Sequence, residues 1–252
     1  MPAVLRRIPA GMLSAVVALI VWQIIGSVGP LAGDSFATAT EAISALWVLV
    51  REATFWLAFW ETVQMAAIGF AISMVIAIPL GMLIGLSRFS YRSSKFTFDF
   101  LKVIPPIVLI PIAILVIGPT LAMGVALVVF ANVFSMAIQT AYGVRDADPV
   151  LLETMRCFRM GLAKQIRYAR LPSAAVQIGI GMRLALAASL VVAVVAGLVG
   201  GAGGLGTFLA LTQSAGNADD TYAVILFLGA IGVALSRLLV RGHRRLVFWV
   251  GR

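Results

Sequence analysis

Residues 103–144, VIPPIVLIPIAILVIGPTLAMGVALVVFANVFSMAIQTAYGV, contain no charged side chain. The run is about twice the ~20 apolar residues that one helix needs to cross a bilayer. It therefore reads as two crossings, with Gly118-Pro119-Thr120 as the break between them. The first of the two carries Pro105, Pro106 and Pro111, which predicts a broken or steeply tilted helix. Composition agrees over the whole chain. Of its 252 residues 62% are hydrophobic and 12% charged, with a mean hydropathy of +1.06. A soluble domain is roughly half apolar and about a quarter charged, so lipid has to cover this one. The fold class expected is an all-α integral membrane protein.

Working outward, charge-free runs at 8–33, 62–87, 184–218 and 221–236 supply the other crossings. Six spans are predicted, at 10–31, 62–87, 103–117, 119–144, 173–199 and 221–240, in one membrane domain covering residues 1–252. The glycine-rich stretch from Gly200 is left out of the fifth span as a flexible external turn or re-entrant piece. Segment 34–61, with Trp47, Phe55, Trp56, Phe59 and Trp60, reads as an interfacial helix on the outer side. The first run is longer than the 7–15-residue core of a signal peptide and is read as a retained span. The GxxxG of Gly81 and Gly85 and the Gly179-Ile-Gly181 triplet predict close helix packing.

Charge sets the orientation. Of 19 Lys and Arg, every one except Arg51 falls before the first span, between the second and third, between the fourth and the body of the fifth, or after the last. Short loops rich in Lys and Arg stay in the cytoplasm, so both termini are expected there. The net charge of +9 thus reports topology, and no nucleic-acid partner is expected.

Several chemistries are set aside by what the chain lacks. One Cys rules out an internal disulfide framework, and one His leaves little for a transition-metal site. The predicted spans hold no Asp, Glu or His, so neither an acid–base pair nor a metal-bound nucleophile can be assembled there. Gly201-Ala-Gly203-Gly-Leu-Gly206 satisfies GxGxxG, but it follows a membrane span and not a β-strand. The chain has no P-loop and would not bind ATP by one. No cofactor, metal or catalytic residue is expected.

The loop 145–172 is the main polar feature. Asp148-Pro149 signals a helix start. Leu151, Met155, Phe158 and Leu162 then recur at helical spacing, with Glu153, Arg156 and Arg159 off that face. The helix is expected to stop before Pro172, which begins the fifth span. Periodicity leaves two readings open, a helix lying on anionic lipid or one presented to a partner protein.

From Glu153 to Pro172 the spacing resembles the cytoplasmic loop of ABC-importer permeases: a Glu-Ala-Ala run, a glycine six residues after the Glu, and a Leu-Pro nineteen after it. Glu153, Leu171 and Pro172 fit. Thr154 and Met155 stand at the alanine positions and Arg159 at the glycine position, with Gly161 two residues later. An arginine there implies either that the helix runs through Arg159 or that Gly161 makes the turn.

Ile78-Pro79-Leu80-Gly81, Gly85-Leu86-Ser87, Asp99, Pro105-Pro106, Pro111, Gly203-Gly204-Leu205-Gly206, Gln213 and Asp219/Asp220 look like the nitrate, sulfonate and taurine permeases. The likeness covers about residues 55–245. It implies a permease of the type I importer fold in the bacterial inner membrane, moving a small anionic or polar solute by alternating access. The implied partners are two cytoplasmic ATP-binding subunits, a second permease subunit, identical or not, and a periplasmic or extracellular substrate-binding protein. The implied ATPase-coupling residues are Glu153, Thr154, Met155, Phe158, Arg159, Gly161, Leu171 and Pro172. A translocation path is expected along Asn132, Ser135 and Gln139, which share one face of the fourth span, with Ser189 in the fifth. The same polar groups could equally be interhelical hydrogen-bond glue. A passive channel or a non-transporting membrane scaffold is the competing class, and neither needs an ATPase-docking loop.

Overall fold

The computed structural model describes residues 10–28 and 36–246. The expected cytoplasmic termini, the last residues of the predicted first span and residues 34–35 of the external segment lie outside the described residues. The described chain is helical throughout: α1 (Ala10–Val28), α2 (Ala39–Leu49), α3 (Ala53–Leu86), α4 (Arg88–Leu101), a 3-10 turn (Pro106–Leu109), α5 (Ile110–Ile117), α6 (Leu121–Arg145), α7 (Pro149–Cys157), α8 (Leu162–Gln165), a π turn (Ile166–Arg170), α9 (Leu171–Gly200), α10 (Gly204–Ser214) and α11 (Ala218–Leu246).

Among the described residues four helical stretches are long and apolar enough to cross a bilayer: Ala53–Leu86, Leu121–Arg145, Leu162–Gly200 and Ala218–Leu235. A fifth is available if α4 and Pro106–Ile117, bent at 76°, make one crossing. The bend comes where Pro105 and Pro106 withhold two backbone donors, as the proline run suggested. Within α1 the apolar stretch Val16–Val28 falls short of that length.

The chain divides into two compact units, with the boundary inside α3, α10 and α11. One unit takes the chain to Leu57 together with Phe208–Ile231. Its core is aromatic: Phe55 is fully buried and meets Trp56, Phe208 and Phe227 edge-on. Thr38 caps α2 in a reciprocal box with Glu41. The backbone N–H and then the hydroxyl of Thr38, both donating to the Glu41 carboxylate, hold its pKa below the ordinary value. The single interfacial helix expected over 34–61 is instead α2 plus the first turns of α3. The break falls at Val50–Glu52, where Trp56 donates its indole N–H back to the Val50 carbonyl at 2.8 Å.

The other unit, Ala58–Thr207 with the chain from Gly232, is built on the α6–α9 pair. Its core is made of methionines and small residues, among them Met65, Met123, Ala193 and Ala196. Such residues let helix backbones close together where no water drives them. Gly81 and Gly85 do what the GxxxG pattern predicts. A Cβ at Gly81 would strike the Ala137 carbonyl and Thr140, and one at Gly85 would strike Val144, so α3 lies directly on α6.

Three elements differ from the sequence expectation. Segment 88–102, read only as a basic loop, is the helix α4, capped by Ser87, whose hydroxyl accepts the Ser90 N–H at 3.3 Å. The glycine stretch from Gly200 is a close-packed turn into α10 and not a loose one. Glu61 accepts the Gly204 N–H at 2.7 Å and Thr62 accepts the Leu205 N–H at 2.8 Å, so α3 supplies both caps. Gly203 and Gly204 sit at φ +90° and +77°, and a Cβ on either would meet Glu61 or Thr62. Pro172 does not start a helix. The chain is helical from Leu162 onward, and the π turn Ile166–Arg170 sits just where Pro172 removes an N–H and crowds the Tyr168 carbonyl.

Candidate coupling segment and polar pocket

The segment 145–172 leaves the end of α6 at Arg145. Asp148 starts α7 by accepting the Val150 N–H at 2.8 Å, with Pro149 in the first turn. Leu152 and Met155 pack into a small buried cluster with Ala147 and Ala169 and pin the helix to its own chain. Apolar side chains on the rest of α7 and just beyond it are uncovered, beside the exposed Glu153 and Thr154. Val150 is 68% exposed, Phe158 74% and Leu162 57%. The apolar face expected from spacing is therefore divided. Met155 points inward, Leu151, Phe158 and Leu162 are exposed, and Leu152 is the anchor that spacing did not single out. Glu153 and Thr154 are exposed, and the Thr154 hydroxyl donates to the Val150 carbonyl at 2.8 Å.

The helix ends in a Schellman turn. The Met160 N–H donates to the Met155 carbonyl at 2.9 Å and the Arg159 N–H to the Arg156 carbonyl at 2.8 Å. Arg159 closes it at φ +52°, the only non-glycine residue with positive φ among the described residues. Both expectations for this position are corrected: the helix does not run through Arg159, and Gly161 does not make the turn. Gly161 is extended and precedes α8. The turn falls on Arg159 because the hydrogen-bond pattern of the helix end demands a left-handed residue there, whatever its side chain. A non-glycine in that conformation costs about 1–2 kcal/mol. Arg159→Gly should therefore raise the thermal midpoint of the detergent-purified chain, by about 1 kcal/mol of stability. A lowered midpoint would show the arginine side chain making a contact that outweighs the strain. Leu171 and Pro172 open α9, both exposed, in a helix already running.

The polar residues of α6 and α9 separate into two groups. Asn132 and Ser189 are 1% and 0% exposed, and Asn132 Nδ2 donates to Ser189 Oγ at 2.7 Å. Ser189 in turn donates to the Ala185 carbonyl at 2.7 Å. These two clasp the helix pair. Ser135 and Gln139 are open and, with Asn132, line a pocket of about 270 Å³ beside Tyr142, Gly181 and Lys102. Lys102, which sequence reasoning left in a basic loop, pairs with Asp99 at 2.6 Å at the end of α4. Its place at the pocket depends on the turn after α4, which has no local sequence signal beyond the prolines that follow.

Known proteins resemble this chain in sequence and fold. The family model described as "binding-protein-dependent transport system inner membrane component" matches residues 77–251. The bicarbonate transport system permease protein CmpB of Synechococcus elongatus is 29% identical over 185 residues, covering 72% of this chain. The match spans just under two thirds of that relative's length, 66%. The putative aliphatic sulfonates transport permease protein SsuC of Bacillus subtilis is 24% identical over 239 residues, covering 95% of this chain and 87% of the relative. Among solved structures, the inward-facing MetNI methionine ABC transporter superposes with a TM-score of 0.67 at 22% identity, over 79% of this chain and 96% of that one. A bacterial ABC transporter that imports alginate superposes with a TM-score of 0.61 at 13% identity, over 93% and 95%. With the family model matched over most of the chain, the protein belongs to the binding-protein-dependent transport system inner membrane components, a multi-pass transport family.

Proposed function

We propose that the chain is the permease subunit of an ABC importer for a small oxyanion, driven by two cytoplasmic ATP-binding subunits through the loop 145–172. It would pair with a second permease subunit, form one six-span permease domain with both termini cytoplasmic, and receive its solute from an external binding protein. The observation that carries this reading is α7 itself. Leu152 and Met155 fasten it from behind, while Val150, Leu151 and the C-cap Phe158 leave apolar side chains exposed for another protein, with Leu162 at the start of α8. A pinned helix with an open apolar face can transmit a push from a partner into α6 and α9, which flank it in the chain.

Alternating access follows from that linkage. Closure of the ATP-binding subunits shifts α7, and α6 and α9 move with it to change which side of the pathway is open. Ser135 and Gln139 offer hydrogen bonds to the passing solute, and Asn132–Ser189 keeps the helix pair together. The oxyanion class is supported by the relatives, named for bicarbonate and aliphatic sulfonates. Lys102 at the pocket is consistent with it.

Two measurements test the reading. The purified chain alone should not turn over ATP, whereas the complex should, faster with loaded binding protein. ATP turnover by the pure single subunit would contradict it, and a chain that co-purifies with no ATP-binding subunit would favour the channel or scaffold class. For orientation, single cysteines at Ser93 and Ala163 in a Cys157→Ser background should resist a membrane-impermeant thiol reagent in intact cells. One at Asn217 should react. Strong labelling at position 163 from outside would reverse the topology and remove the docking argument.

A further inference from the structure

Beneath α7 lies a second cleft, of about 420 Å³, that the transport reading does not use. Four arginines from four elements line it: Arg88 at the start of α4, Arg145 at the end of α6, Arg156 on α7 and Arg170 at the end of the π turn. Glu153 is the one acid on its wall. Among the described residues the sole ion pair is Lys102–Asp99, elsewhere, so none of the four guanidinium groups has a carboxylate in salt-bridge contact. Arg145 rests on the Tyr91 ring, 4.3 Å from its centroid. Arg170 is half-buried, and its Nε–H is buried without a hydrogen-bond acceptor.

That arrangement is unfavourable while the cleft is empty. Like charges converge, and an N–H is taken from water with nothing to receive it. An anion with several oxygens would relieve both costs together. Guanidinium forks match phosphate-type oxygens in pairs, and basic pockets on the cytoplasmic side between membrane helices are suited to phosphorylated headgroups. We propose that this cleft is a binding site for a phosphate-type oxyanion, held by Arg88, Arg156 and Arg170 with Arg145 behind them. The phosphate can belong to an anionic phospholipid headgroup or be free in the cytoplasm. A ligand there would tie α7 to the ends of α6 and the π turn, and so stiffen the segment.

The test uses the full-length chain with whatever subunits co-purify, stripped of lipid in a neutral detergent. In one arm, sodium phosphate is titrated against sodium chloride at matched ionic strength, and the thermal midpoint is followed. In the other, the chain is reconstituted in phosphatidylcholine vesicles with or without phosphatidylglycerol, re-extracted, and its retained phosphatidylglycerol counted. A saturable rise in midpoint with phosphate, weakened about tenfold or more in Arg156→Gln, supports the site and names a free anion. Phosphatidylglycerol retained by the wild type and lost from Arg156→Gln supports it and names the headgroup. Arg88 and Arg156 are exposed, so Arg88→Gln and Arg156→Gln keep the test open if Arg170→Gln fails to fold. Wild type and variants responding alike in both arms, or no response in either, would overturn the proposal. Binding is read without transport or ATP, so that failure would leave the permease reading standing.

Discussion

Gly81→Leu should abolish the folded chain: little or no monodisperse protein recovered from membranes in mild detergent. At this position a Cβ points into the Ala137 carbonyl and Thr140 on α6. A carbonyl of a facing helix cannot swing aside as a flexible side chain can, so a leucine must force α3 and α6 apart. Overpacking in a well-packed core costs about 1–3 kcal/mol and sometimes more. Here the loss should lie at or above the top of that range, because Gly85 on the next turn meets Val144 and is displaced with it. Gly229→Leu is the control. Nothing stands within 4 Å of a Cβ there, so leucine should leave yield and thermal midpoint near wild type. Equal recovery of both variants would mean that α3 does not lie on α6 as described.

Much of this was legible in the sequence, for physical reasons that differ from element to element. α6 was placed within two residues at its start and one at its end, because Gly118-Pro119 and Arg145 bracket an uninterrupted apolar run. The Gly81–Gly85 contact was legible because its spacing matches the helix repeat. α4 was missed because its polar and aromatic residues resemble a basic loop when counted for charge. The Ser87 cap, with Phe89, Phe96 and Phe100 at spacings of seven and four, was the signal available.

Other features were beyond local reading. Glu61 and Thr62 cap α10 from 143 residues away, so the glycine stretch looked loose when its partners were out of view. Pro172 looked like a helix start because that is where proline costs least. The π turn that lets the helix pass it has no signature of its own. At the candidate site, the sequence supplied the residues and the structure sorted them. Asn132 and Ser189 went to the clasp, Ser135 and Gln139 to the pocket, and Met155 to the buried side of α7. Arg159 shows the limit most plainly, since a turn that prefers glycine is made here by arginine.

The second large effect is expected at Phe158, and it bears on the central claim that α7 is where an ATP-binding subunit docks. Phe158 is the C-cap of α7 and is 74% exposed, so the chain's own fold asks little of it. A large aromatic side chain held outward on a pinned helix is the kind of residue that dominates an interface once it is covered. Replacing it with aspartate removes the apolar anchor and buries a charge in its place, which should weaken association by on the order of 100-fold or more. Glu153→Lys should also impair coupling. It is the less clean probe, because Glu153 is the one acid on the cleft that four arginines share and its reversal adds a fifth cation.

The most direct measurement is therefore the amount of ATP-binding subunit retained when tagged wild-type and Phe158→Asp chains are purified side by side from native membranes. Thermal midpoints of the two chains should be recorded in parallel. The expected result is stoichiometric retention by the wild type, nearly complete loss from Phe158→Asp, and matching midpoints. Equal retention by the two would contradict the docking of an ATP-binding subunit on this face of α7.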